Sequence, residues 1–128
     1  MSRLWLMMAA ANGFLAVALG AFGAHGLKRL LESAPDGAQR LQWWQTAAQY
    51  HLAHALALGL VAALAPHLAG RLPGLAGWLL VAGIVLFSGS LYAMTLTGVR
   101  ALGAITPAGG VCLLGGWLVI LVAAARIR

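Results

Sequence analysis

The chain has 128 residues, 62% of them hydrophobic, with eight Lys/Arg and two Asp/Glu. Only 8% of its residues are charged, against about 25% in soluble domains, which excludes a water-soluble fold around one core and makes the bilayer the matching solvent. The net charge of +6 is no nucleic-acid signal, because Arg3, Lys28, Arg29, Arg40, Arg71, Arg100, Arg126 and Arg128 are scattered at segment ends without interleaved aromatics.

A helix needs about 20 apolar residues to cross a bilayer. Four stretches without a formal charge meet that length: residues 4–24, 41–65, 72–99 and 101–125. Trimmed at turn signals, they predict spans near 4–25, 43–64, 75–96 and 104–124 in a single domain, 1–128. The predicted fold is all-α: a polytopic four-transmembrane-helix bundle, with a short interfacial helix in the first loop.

The first span follows Arg3 and has small residues near Ala24, as a secretory signal would. Its apolar run exceeds a signal core and three more spans follow, so it reads as a retained helix. Ala9, Gly13, Ala16, Gly20 and Gly23 recur at steps of 4, 3, 4 and 3. Such a seam of small side chains lets helices approach closely, within one bundle or between copies. Residues 27–32 carry apolar side chains at spacings of 3 and 4 and predict the interfacial helix. Pro35-Asp36-Gly37 then makes a turn.

The second span is unusually polar. Thr46, Tyr50 and His54 share one i, i+4 column, His51 lies about 60° further round, and Gln45 and Gln49 form a neighbouring column. Pro66, Pro73 and Gly74 separate it from the third span, where Ser88, Tyr92 and Thr95 share a face. That hydroxyl face is expected against Tyr50 and His54, completing an intramembrane hydrogen-bond network. A tight connection around Arg100 leads to Thr106-Pro107, which either caps the fourth span or kinks a helix begun earlier. Gly109-Gly110 and Gly115-Gly116 make a second small seam. The single Cys112 excludes an internal disulfide and, in an apolar run, reads as a packing residue.

No nucleophile–base–orienter set is visible, so no catalytic residue is assigned and the chain reads as non-enzymatic. His25, His51, His54 and the loop residue His67 are the candidates for metal or haem, but no Cys/His motif and no membrane carboxylate accompanies them. No metal and no cofactor is expected. A channel or transporter would need a polar path past His54 and Tyr92, and no span holds Asp or Glu. Alternatives remain a redox-associated subunit binding haem, metal or quinone, and a small channel component.

The first reading is a binding protein. The ends carrying His25, Trp44, Gln45, Gln49, Arg100 and Thr106 alternate onto one face, formed by loops one and three. That cluster is expected to bring His25 and Arg100 together and to bind membrane lipid, a second copy or a membrane-protein partner. Lys/Arg counts tie at four against four, so orientation stays open.

Several motifs resemble one family. Residues 20–28 read GAFGAHGLK, 44–51 read WQTAAQYH and 54–56 read HAL. Residues 88–92 read SGSLY and 102–110 read LGAITPAGG, with Gly116-Trp117 following. Together they resemble the YgdD-like family of small integral inner-membrane proteins, a domain of unknown function. The resemblance implies a four-helix protein of the bacterial cytoplasmic (inner) membrane and assigns no catalytic residue.

Overall fold

The computed structural model describes residues 2–127. Four long helices carry the chain: α1 Ser2–Leu31, α2 Gly37–His67, α3 Leu72–Thr97 and α4 Arg100–Ala124. There is no strand among the described residues. With 25 to 31 residues each, the helices are about 37–46 Å long and overhang a hydrocarbon layer of about 30 Å.

Local chemistry ends each helix. Pro66 lies in the 3₁₀ turn Ala65–His67 that closes α2, and Pro73 sits in the first turn of α3, where its missing N–H costs no hydrogen bond. Gly98 takes the left-handed conformation (φ 72°) and donates its N–H to Met94 O at 2.7 Å. Glycine adopts that conformation without Cβ strain, so α3 stops there and two residues suffice for the turn into α4. α4 opens as a 3₁₀ stretch, Arg100–Ala104, and becomes α-helical at Thr106 with Pro107 in the first α turn.

The interfacial helix is not a detached element. Lys28–Leu31 continues α1 through a π-helical turn, Gly23–Leu27, with helical backbone at both junctions. No residue there forces a break; the first turn signal is Pro35. A second π turn, Ile84–Ser88, lies within α3.

The centre of the bundle is the α2–α3 pair; α1 packs along α2 and α4 along α3. Several members of the small seams serve these contacts, although Gly13 of α1 faces open space. On α1, a side chain at Gly20 would meet Ala48 at 3.9 Å, and one at Gly23 would run into the Trp44 indole. On α4, one at Gly116 would reach Leu80 at 2.7 Å, and one at Gly109 would enter the α3 backbone at Leu86 and Phe87. Long aromatics bridge the outer helices to the far member of the central pair. Trp5 of α1 is fully buried on Gly77 and stands edge-to-face with Trp78, 5.2 Å between centroids. Its Nε1–H has no hydrogen-bond partner among the described residues. Trp117 of α4 reaches across to α2.

Candidate functional site

Two histidines on α2 straddle its contact with α3. His51 is 2% exposed and bonded on both ring nitrogens: Nε2 to Asn12 Oδ1 at 3.0 Å and Nδ1 to the Tyr92 hydroxyl at 3.0 Å. Asn12 Nδ2 donates to Met8 O at 2.8 Å, which leaves Oδ1 as the acceptor. His51 Nε2–H therefore donates to Asn12, and the Tyr92 hydroxyl donates to His51 Nδ1. One directed chain thus ties α3 to α2 to α1, and every polar group in it has a partner, as hydrocarbon demands.

His54 uses the opposite tautomer. Its Nδ1 lies 2.7 Å from Tyr50 O, a pure acceptor, so Nδ1–H donates. Its Nε2 accepts the Trp117 indole N–H at 3.1 Å. Tyr50 itself is 45% exposed and packs its ring on Phe87, centroids 4.5 Å apart. The expected pairing of the α3 hydroxyls with Tyr50 and His54 is therefore replaced. Tyr92 bonds His51, Ser88 Oγ donates to Ala47 O at 2.8 Å, and Thr95 Oγ1 is shared between Arg40 O at 3.0 Å and Leu91 O at 2.9 Å. Thr46, half-buried, and the exposed Tyr50 hydroxyl are the side chains of the expected network that this set of bonds does not include; Tyr50 enters it only through its backbone carbonyl.

Each histidine borders a lateral cleft. One, about 250 Å³, lies between α1 and α3 beside His51, Asn12 and Tyr92. The other, about 420 Å³, lies between α2 and α4 beside Tyr50, His54, Phe87 and Trp117. All four ring nitrogens are already committed to hydrogen bonds. Among the described residues no three His, Cys, Asp or Glu side chains come together. Tyr92→Phe removes the hydroxyl that feeds His51 and is expected to cost about 0.6–1.7 kcal/mol in SDS unfolding, the range of measured membrane hydrogen bonds. Asn12→Leu should cost more, because His51 Nε2–H is then left buried without an acceptor.

The end formed by loops one and three is built on Arg40. Its Nε donates to Thr95 O at 2.8 Å and Nη2 to Leu96 O at 3.4 Å, while Nη1 lies 3.7 Å from Asp36 Oδ1. These are last-turn carbonyls of α3, which lack helical partners, and a cation is favoured at a helix C-terminus. Thr95 returns its hydroxyl to Arg40 O, so α2 and α3 clasp each other reciprocally. Trp44 ties in α1: it is buried, and its indole N–H donates to Leu19 O at 2.7 Å.

Around this clasp, Arg100 stands 5.3 Å from the centroid of the Trp43 ring. His25, Lys28, Arg29 and Arg100 are all exposed. His25 shares this end of the bundle with Arg100, but no hydrogen bond links the two among the described residues. Thr106 is drawn to α3 instead, 2.6 Å from Ser90 Oγ, whose own hydrogen goes to Phe87 O. Gln45 and Gln49 are exposed on the outer face of α2, away from the cluster. A cavity of about 310 Å³ lies at loop one, lined by Lys28, Glu32 and the apolar Leu31, Pro35 and Leu41.

Sequence reasoning missed Asn12 and the role of Arg40. A lone amide in an otherwise uncharged, apolar span was the available signal for the first. For the second it was an arginine four residues after an aspartate at the start of a helix.

Comparison with known proteins accords with this architecture. The family described as protein of unknown function, DUF423, matches residues 19–110. The chain is 50% identical over 125 residues to the UPF0382 membrane protein YwdK of Bacillus subtilis, covering 97% of this chain and 98% of that one. It is 44% identical over 124 residues to the UPF0382 membrane protein SERP0230 of Staphylococcus epidermidis, covering 97% of each. It is 43% identical over 131 residues to the UPF0382 inner membrane protein YgdD of Escherichia coli, covering 99% of this chain and 93% of that one. No solved structure matches it significantly. The chain is a multi-pass membrane protein and belongs to the DUF423 (UPF0382) family, as the resemblance to YgdD-like proteins implied.

Proposed function

We propose that this protein is a non-enzymatic membrane protein that binds the headgroup of an anionic lipid at the end formed by loops one and three. The observation that carries this reading is the division of labour among cations there. Arg40 is consumed by the C-terminus of α3, whereas Lys28, Arg29 and Arg100 stay exposed at the same end. Arg100 over the Trp43 ring combines a cation with an interfacial aromatic, the pairing that anchors proteins at headgroup level. Each basic residue near an anionic surface contributes about 1 kcal/mol. His51, His54 and Tyr92, by contrast, are bonded to fixed partners within the spans, which disfavours proton transfer or metal binding as their task.

Thermal unfolding in detergent tests the reading. Short-chain phosphatidylglycerol is expected to raise the midpoint more than phosphatidylcholine at equal concentration, because a ligand that binds only the folded state stabilises it. The difference should shrink as salt rises from 50 to 500 mM and should be absent from the triple variant Lys28→Gln, Arg29→Gln, Arg100→Gln. Equal shifts with both lipids would refute it.

A further inference from the structure

We infer that this chain pairs with a second copy of itself through the outer face of α2, centred on Gln45 and Gln49. Gln42, Gln45 and Gln49 recur at steps of 3 and 4, and all three are exposed. Gln49 lies two residues from Ala47, which faces α3, so it points to the opposite side of the helix. Its depth follows from the hydrogen bonds. The 26 residues of α3 make it about 39 Å long, overhanging a ~30 Å hydrocarbon layer by roughly 4–5 Å at each end. Ser88 lies nine residues before Thr97 and bonds the Ala47 carbonyl at 2.8 Å. Residue 47 is therefore about 9 Å inside the hydrocarbon, and Gln49 about 12 Å.

A glutamine side chain is too short to reach the headgroups from there. An amide in hydrocarbon without a hydrogen-bond partner is costly, and acyl chains offer neither donor nor acceptor. The face carries no charge, so it selects no charged partner. An amide is its own complement, donor and acceptor in one group. A two-fold axis along the seam pairs Gln45 and Gln49 of one copy with those of the other. The seam runs on through Leu52, Leu56 and Leu60, which are 39%, 70% and 39% exposed. This is an apolar stripe of the spacing that packs membrane helices at shallow left-handed angles. Gly20 and Gly23 of α1 and Gly109 and Gly116 of α4 are already packed inside the bundle, whereas the amides of this face are left with unmet hydrogen-bonding demand.

Cross-linking in proteoliposomes tests the pairing, with the full chain carrying Cys112→Ser and one new cysteine. Gln49→Cys is expected to form a disulfide dimer at least tenfold faster than Phe14→Cys, a site on α1 that is 79% exposed. Energy transfer between labelled copies in dilute bilayers should show the double variant Gln45→Leu, Gln49→Leu dimerising about tenfold more weakly, while Gln49→Asn retains the dimer. These substitutions lie on an exposed face and leave the core unchanged. A wild-type chain that is monomeric in dilute bilayers would overturn the inference. So would equal cross-linking at Phe14 and Gln49, or an unrelated protein trapped at Gln49→Cys.

Discussion

Gly109→Val is expected to destabilise the protein by about 3 kcal/mol, the upper part of the range for overpacking a tight contact. A side chain at Gly109 has no space, because it would enter the α3 backbone at Leu86 and Phe87. Backbone cannot rotate away as a side chain can, so α3 and α4 must separate. Separation also strains the Thr106–Ser90 bond beside it and withdraws Leu113 from Gly83. Gly13→Val is the control. It belongs to the sequence seam of α1 but has nothing within 4 Å, so it should change stability by less than about 0.5 kcal/mol. SDS unfolding of both variants separates a packing glycine from a glycine that merely shares its spacing.

Arg40→Met should cost about 2–3 kcal/mol, because charged hydrogen bonds to Thr95 O and Leu96 O are lost and two helix-end carbonyls are left without a donor. Arg40→Lys restores the charge but not the planar fork that spans two carbonyls, and should recover less than half of the loss. Arg100→Met removes an exposed cation from the Trp43 ring and should cost about 0.5 kcal/mol. A double-mutant cycle with Thr95→Val should show strong coupling to Arg40, since each residue bonds the other's backbone.

The four spans and the all-helical class were legible because charge-free length is a nearly sufficient signal for a membrane helix. The faces of those helices were harder to read. In water an apolar stripe marks the core, but a membrane helix is apolar on both its packed and its lipid side, so periodicity does not orient it. That is why Tyr50 was expected inside and lies 45% exposed, while His51, not His54, receives the Tyr92 hydroxyl. Thr46, Tyr50 and His54 share one column by spacing, whereas the contact with α3 falls between His51 and His54. Gln45 and Gln49 are close to the loop cluster in sequence, but helical rotation turns them outward.

Charges misled in a related way. Arg40 counted among the interfacial bases, yet its environment depends on where α3 ends, 55 residues away in sequence. No local pattern announces that contact. Lys28, Arg29 and Arg100 kept the solvent-facing position that their place at span ends implied. The resemblance to a family without established activity was informative about architecture and silent about the site. The lipid-binding reading therefore rests on the distinction between one consumed arginine and three free cations.

Native mass spectrometry from a mild detergent measures that distinction most directly. The account predicts that the wild-type chain retains phosphatidylglycerol in preference to phosphatidylcholine. It further predicts that the triple variant Lys28→Gln, Arg29→Gln, Arg100→Gln loses that preference while remaining folded. Equal retention of the two lipids by the wild-type chain, or unchanged retention of phosphatidylglycerol by the variant, would contradict it.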